Sequence, residues 1–235
     1  MKFFLVLFLL GLFITPNYSK ELIHYLGLAY EFKSSRLLYS DEYKEYIDDE
    51  GFLSAEVIYR DPSSNIIASK SISYKTNLRV PSFSFSNYMT NSEAEVSVSN
   101  NNIKVSYYSD LENILLKTKE FPLSDTTVVD AGIYYFVMDY WDSLIAGDVL
   151  FFNYISPSNM RSYKLRIRLK NIEVWKAIDS AIFVVELDNF FMRFFLDPIL
   201  LRYDIINKQL LRYEGTSNIK FLFGDRKVFL DIDHL

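Results

Sequence analysis

The stretch Phe52–Tyr74 reads FLSAEVIYRDPSSNIIASKSISY, and it decides the fold class. Leu53, Ala55, Val57 and Tyr59 fall on one side of an extended chain, with Phe52, Ser54, Glu56, Ile58 and Arg60 on the other. The second run repeats the alternation, with Ile66, Ala68, Lys70, Ile72 and Tyr74 opposite Ile67, Ser69, Ser71 and Ser73. Successive side chains of a strand point to opposite faces, so a period of two predicts strands. Between the runs lies Asp61-Pro62-Ser63-Ser64-Asn65, in which Pro62 fixes φ and its neighbours favour a turn. Strands joined by so short a turn pair antiparallel.

Working outward, the same signature recurs. Arg36–Ile47 alternates through Leu38, Tyr39, Tyr43, Tyr46 and Ile47, and Ala29–Lys33 pairs apolar with charged positions. Ala94–Ser99 and Ile103–Tyr108 flank the hairpin turn Asn100-Asn101-Asn102. Further strands are predicted at Asn113–Lys119, Val149–Ile155, Tyr163–Trp175, Ala181–Leu187 and Lys227–Ile232. Pro198–Ile206 and Leu210–Tyr213 form a hairpin about Asn207-Lys208. Asn77–Tyr88, with Pro81 and many serines, reads as a loop or strand crossing, and Asn189–Leu196 as a short helix or a bent strand.

One segment breaks the pattern. Val129, Ile133, Phe136, Val137, Tyr140, Trp141 and Leu144 recur at helical spacing between N-cap groups at Ser124–Thr127 and a C-cap glycine, Gly147. Only Asp130, Asp139, Asp142 and Ser143 are polar, so the spacing predicts one long, largely buried helix over 128–146. The expected fold is mainly β: roughly ten to twelve antiparallel strands in a strongly curved sheet or open barrel, enclosing that helix.

The N-terminus carries Lys2, twelve apolar or glycine residues from Phe3 to Ile14, and a polar breaker, Thr15–Ser19. The run is too short for a membrane span, which needs about 20 apolar residues. It reads as a signal peptide over 1–19, leaving one β-rich domain over 20–235, exported to the periplasm of a Gram-negative bacterium. No later stretch is apolar enough to span a membrane. The 235 residues include no cysteine, which excludes disulfides, thiol nucleophiles and Cys-based metal sites. The net charge of −5 argues against a nucleic-acid partner. Outside residues 1–19, which hold four Phe and Tyr18, the 16 remaining Phe and 17 remaining Tyr belong to the domain itself, as core, as the lining of a cavity, or as the imprint of an AT-rich genome.

Leu38-Tyr39, Tyr59-Arg60-Asp61-Pro62, Asp130-Ala131-Gly132 opening a helix with Trp141, Asp197-Pro198-Ile199, Tyr203-Asp204 and Tyr213–Ile219 together resemble an uncharacterised family of exported bacterial proteins. That resemblance implies an envelope location and supplies no catalytic residues. The plan of many strands plus one buried helix is also similar, more loosely, to periplasmic carriers in which an open β-barrel holds apolar cargo.

Chemistry-bearing patterns are few. No nucleophile elbow, phosphate-binding glycine loop or His-Glu-x-x-His occurs, and no cofactor is implied. His24 and His234 lie near the two ends and read as surface residues. Asp139 and Asp142, three apart beside Trp141, are the candidate carboxylate pair for a hydrolase, or simply the wet stripe of the helix. Lys164-Leu165-Arg166-Ile167-Arg168-Leu169-Lys170 places four cations on one strand face. They form either an anion site or a wet outer face neutralised by Glu186 and Asp188. Phe151, Phe152, Tyr154, Phe190, Phe191, Phe194 and Phe195 surround this strand in sequence. The expected function is a non-enzymatic binding or carrier module for an apolar or amphipathic molecule such as a lipid. Lys164, Arg166 and Arg168 would contact an anionic head, with Trp141 and Phe152 against the apolar part. The alternative is a structural or interaction component of the cell envelope.

Overall fold

The structure, a computed structural model, describes residues 21–235 except 111, 113, 192, 194–196 and 223–225. The expected signal peptide therefore lies outside the described residues, as do Asn113, Phe194, Phe195 and most of the second half of Asn189–Leu196.

The first half is an antiparallel meander of eight strands: β1 (Glu21–Glu31), β2 (Leu37–Ile47), β3 (Leu53–Arg60), β4 (Ile66–Ser73), β5 (Ser82–Asn87), β6 (Ser92–Ser99), β7 (Asn102–Ser109) and β8 (Ile114–Pro122). Phe52–Tyr74 folds as the alternation predicts. Ala55, Val57 and Tyr59 on β3, and Ala68, Lys70 and Ile72 on β4, are buried on the same side. Asn77–Tyr88 holds β5, whose Pro81 sits just before the first strand residue, where a missing N–H costs no ladder bond.

The chain then forms β9 (Thr127–Val129), helices α1 (Gly132–Asp139) and α2 (Trp141–Ala146), and strands β10 (Leu150–Ser156), β11 (Arg161–Trp175), β12 (Ile178–Leu187), β13 (Ile199–Asp204), β14 (Leu210–Thr216) and β15 (Lys227–His234). All fifteen strands belong to one unclosed sheet, ordered β8 to β1, then β15 down to β9. Every pairing is antiparallel except β9 with β10.

The single long helix expected over 128–146 is corrected in two places. Val128 and Val129 are β-branched and pair in parallel with Tyr154 and Ile155 instead of entering a helix. Asp130 then turns the chain with φ 47°, a left-handed conformation that Asp tolerates. At Tyr140 (φ −114°, ψ 20°) the backbone leaves helical geometry and splits the remainder into two short helices. Gly147 caps the second in left-handed geometry, as its position predicts. Ser124 and Thr127 bond each other in a turn and cap neither helix. Gly132 has a local reason: a Cβ there would stand 2.0 Å from the Arg79 carbonyl oxygen.

Because β1 pairs with β15, the two ends of the described chain meet at the centre of the sheet. The interior divides into two clusters. One draws mostly on β1–β7 and β15, including Tyr39, Tyr59, Val105 and Leu230, with Phe121, Val129 and Ile155 joining from β8, β9 and β10. The other packs Phe136, Val137, Trp141 and Leu144 of the helices on Phe152, Ile167, Phe183 and Leu201. A cavity of about 280 Å³ is lined from both clusters, so the sheet curls enough for β1–β4 to face β12–β14 across it.

Candidate functional site in the central cavity

The cavity wall is set by strand parity. On β2, Asp41, Tyr43 and Glu45 are alternate residues and all point inward. Registry places Gly27 of β1 and Tyr59 of β3 beside Asp41, Tyr25 and Val57 beside Tyr43, and Ile23 and Ala55 beside Glu45. Lys70 of β4 pairs with Val57 and so faces the same space. The opposite wall is largely apolar, with Val185, Ile199, Leu201 and Leu210. Eight tyrosines line the whole: Tyr25, Tyr43, Tyr59, Tyr74, Tyr134, Tyr154, Tyr203 and Tyr213.

The polar groups within are specifically arranged. Tyr43 donates to Glu45 Oε2 at 2.7 Å, and Tyr135 donates to the same oxygen at 2.9 Å. The Tyr43 proton being committed, Tyr74 donates to the Tyr43 oxygen at 3.3 Å. The rings of Tyr25 and Tyr43 stack 4.8 Å apart and nearly parallel. Lys70 Nζ donates to both oxygens of Asp130, at 2.8 and 2.7 Å, and lies over the rings of Phe83 and Phe85. Charge-assisted bonds of this kind are what make a buried lysine tolerable.

Asp41 is the exception. It is 6% exposed, and its Oδ1 has no hydrogen-bond partner. Burial pushes its carboxyl up to about 6, against weaker opposing effects from the amides of Asp41 and Gly27 and the Lys70 charge. Gly27 makes room for it, since a Cβ there would stand 1.9 Å from Asp41 Oδ1. Burial also raises the phenols of Tyr43, Tyr59 and Tyr203 above their ordinary range, so these stay protonated.

The residues singled out from sequence lie elsewhere. Arg166 donates twice to Glu186 Oε1, at 2.9 and 2.5 Å; Arg168 and Arg193 approach the same oxygen at 3.5 Å. Lys164 pairs with Asp188 at 2.9 Å. Although burial opposes it, the Arg166 hydrogen bond and the surrounding guanidinium charges hold the Glu186 carboxyl below its usual range. This is the outer face, on the side of β11 opposite to Leu165, which lines the cavity. Trp141 and Phe152 are buried in the helix-covered cluster, Trp141 edge-on to Phe183 and Tyr203, Phe152 against Phe136. None of these five residues lines the cavity. Of the neighbouring aromatics only Tyr154 does, while Phe151, Phe190 and Phe191 are exposed.

Asp139 and Asp142 sit on an open surface, and Asp139 lies 3.6 Å from Arg79; they are not paired in a cleft. His234 is no loose surface residue: it lines the cavity, contacts the Leu210 carbonyl at 3.0 Å and packs on Tyr25, held there by the β1–β15 pairing. Among the described residues no group of three or more His, Asp or Glu is placed to hold a metal ion, and no helix is long and apolar enough to cross a membrane.

No protein-family model matches the chain, and no curated protein does. Among solved structures the chain is similar to a β-barrel-like protein of a domain of unknown function, DUF1849, from Brucella abortus. The identity is 7% and the TM-score 0.44, over 91% of this chain and 96% of that one.

Proposed function

We propose that this protein is a non-enzymatic binding or carrier module that holds a small amphipathic molecule in its central cavity. The observation that carries this reading is the cavity's composition: an apolar wall on one side, and on the other a buried carboxylate oxygen left without a partner. A packed core has no reason to keep such a group, because leaving a buried polar atom unsatisfied costs about 1–3 kcal/mol. A pocket that is mostly apolar with a few convergent polar groups is the usual form of a small-molecule site. Lys2 and the run Phe3–Ile14 support export to a bacterial periplasm. The basic strand face does not line this cavity, and Lys164, Arg166 and Arg168 on it pair with Asp188 and Glu186.

Denaturing extraction of protein purified from its native host, followed by mass spectrometry, tests the reading. A stoichiometric small molecule is expected, and its loss on Leu165→Trp, which fills the cavity. Protein that carries no such molecule from the native host, together with a Leu165→Trp variant as stable as the parent, overturns it.

A second reading, docking of an envelope partner, rests on β8. This edge strand exposes Leu115 and Leu116 at 86% and 68% and offers an unpaired backbone. A partner that co-purifies and is lost on Leu115→Lys, with cavity binding unchanged, supports it.

A further inference from the structure

We propose that the molecule held in the cavity is an organic amine, its ammonium group seated at Asp41 and its apolar body against the tyrosine rings. This rests on the cavity being a binding site at all, and it names the charge of what binds there.

Three carboxylates, Asp41, Glu45 and Asp130, face one lysine, Lys70. Lys70 and Asp130 satisfy each other through two hydrogen bonds. Glu45 accepts from two phenols, both on Oε2. Asp41 stands apart from both, because its Oδ1 is buried with no hydrogen-bond partner. A carboxylate oxygen can only accept, so what completes it must bring a proton to donate. A donor that also carries positive charge completes it best, because charge-assisted bonds are the stronger kind.

The rest of the wall agrees. Tyrosine faces attract cations through the ring quadrupole, and the stacked Tyr25–Tyr43 pair stands in the rows beside Asp41. Gly27 keeps the backbone clear of the carboxylate, at the expense of side-chain packing in the middle of a strand. An anionic head finds no such reception. The one lysine of the wall is already committed to both oxygens of Asp130, and an incoming anion would have to break that pair.

Three probes of equal length separate the possibilities: hexylammonium, 1-hexanol and hexanoate, each titrated calorimetrically into the purified full chain at pH 7.5. Hexylammonium is expected to bind about tenfold more tightly than 1-hexanol, and hexanoate most weakly. Asp41→Asn should bring hexylammonium to the level of 1-hexanol and leave 1-hexanol unchanged. Equal binding of all three, tighter binding of hexanoate, or an ammonium preference that survives Asp41→Asn overturns the amine and leaves the cavity reading standing. Binding of none of the three removes both. Should Asp41→Asn fail to fold, the order of the probes on the unaltered protein still decides.

Discussion

The two ends of one sheet fill their concave faces differently. Over β10–β13 the face is covered by α1 and α2, and its buried residues, Phe136, Trp141, Phe152, Ile167, Phe183 and Leu201, are apolar. Over β1–β4, α1 reaches the sheet through Tyr135, which bonds Glu45 and meets Tyr74 edge-on, and the inward positions carry tyrosines together with Asp41, Glu45 and Lys70. Both ends are parts of the same antiparallel ladder, so backbone architecture does not account for the contrast. What differs is the material brought to the face: a helix pair on one side, and on the other side chains long enough to reach across and polar enough to need partners. The end beneath α1 and α2 is packed as core, and the β1–β4 end lines the cavity.

The largest expected effect breaks the core end. Trp141 fills the space between α2 and the sheet, edge-on to two rings. Trp141→Ala should cost about 3–5 kcal/mol in urea unfolding. It should also disturb cavity binding, since Tyr203 contacts Trp141 and lines the cavity. Next comes the buried ion pair of the site end. Lys70→Met leaves Asp130 beside the cavity without its cation and should cost about 3 kcal/mol. Combined with Asp130→Asn, the loss should be smaller than the two single losses added, a coupling measurable in a double-mutant cycle. Additivity of the two would mean that Lys70 serves the cavity independently of Asp130.

Asp41 sharpens the contrast through pH. Its carboxyl is raised to about 6 from an ordinary 3.8, so between these values the folded chain holds a proton that the unfolded chain has lost. The group's contribution is therefore most favourable at low pH and declines as pH rises towards about 6, remaining unfavourable above it. Asp41→Asn should stabilise the protein by about 1–3 kcal/mol at pH 7.5 and by little at pH 4. The difference between variant and parent across that range isolates Asp41 from carboxylates such as Glu186 and Asp204, which are shifted downward and act in the opposite direction. A variant no more stable than the parent at pH 7.5 would show that the buried carboxylate is better solvated than its surroundings imply.

Much of this was legible in the chain itself. Period-two alternation located most of the strands, because parity is a local property. Gly147 marked its helix end for the same reason. The charged residues of the site were visible too: Lys70 shares parity with Ala68 and Ile72, and Asp41 and Glu45 share it with Tyr43. A charge on the apolar side of a strand is the signal that finds this site, and a glycine inside the neighbouring strand strengthens it. The more conspicuous charges of Lys164–Lys170 lie on the polar side of their strand, where charges are ordinary. Other features were out of reach. That β1 would pair with β15, drawing His234 into the cavity, depends on contacts across the whole chain. That Val128–Val129 would join β10 instead of the helix depends on an edge supplied more than twenty residues later.

The smallest expected effect concerns that basic strand, and it is the sharpest test of where the site is not. Arg166 is held by Glu186 at the outer face, with Arg168 and Arg193 also near the same carboxylate. Removing one of three cations leaves Glu186 partly neutralised, so Arg166→Ala should cost about 1 kcal/mol, the upper end for exposed pairs. Its side chain points away from the cavity, so the affinity for hexylammonium or 1-hexanol should stay within about twofold of the parent, since such a change is under about 0.5 kcal/mol. If Arg166→Ala weakened binding as strongly as Asp41→Asn, the outer face and the cavity would be energetically coupled through β11. The division between a neutralised exterior and a functional interior would then fail at the strand where Leu165 and Arg166 stand back to back.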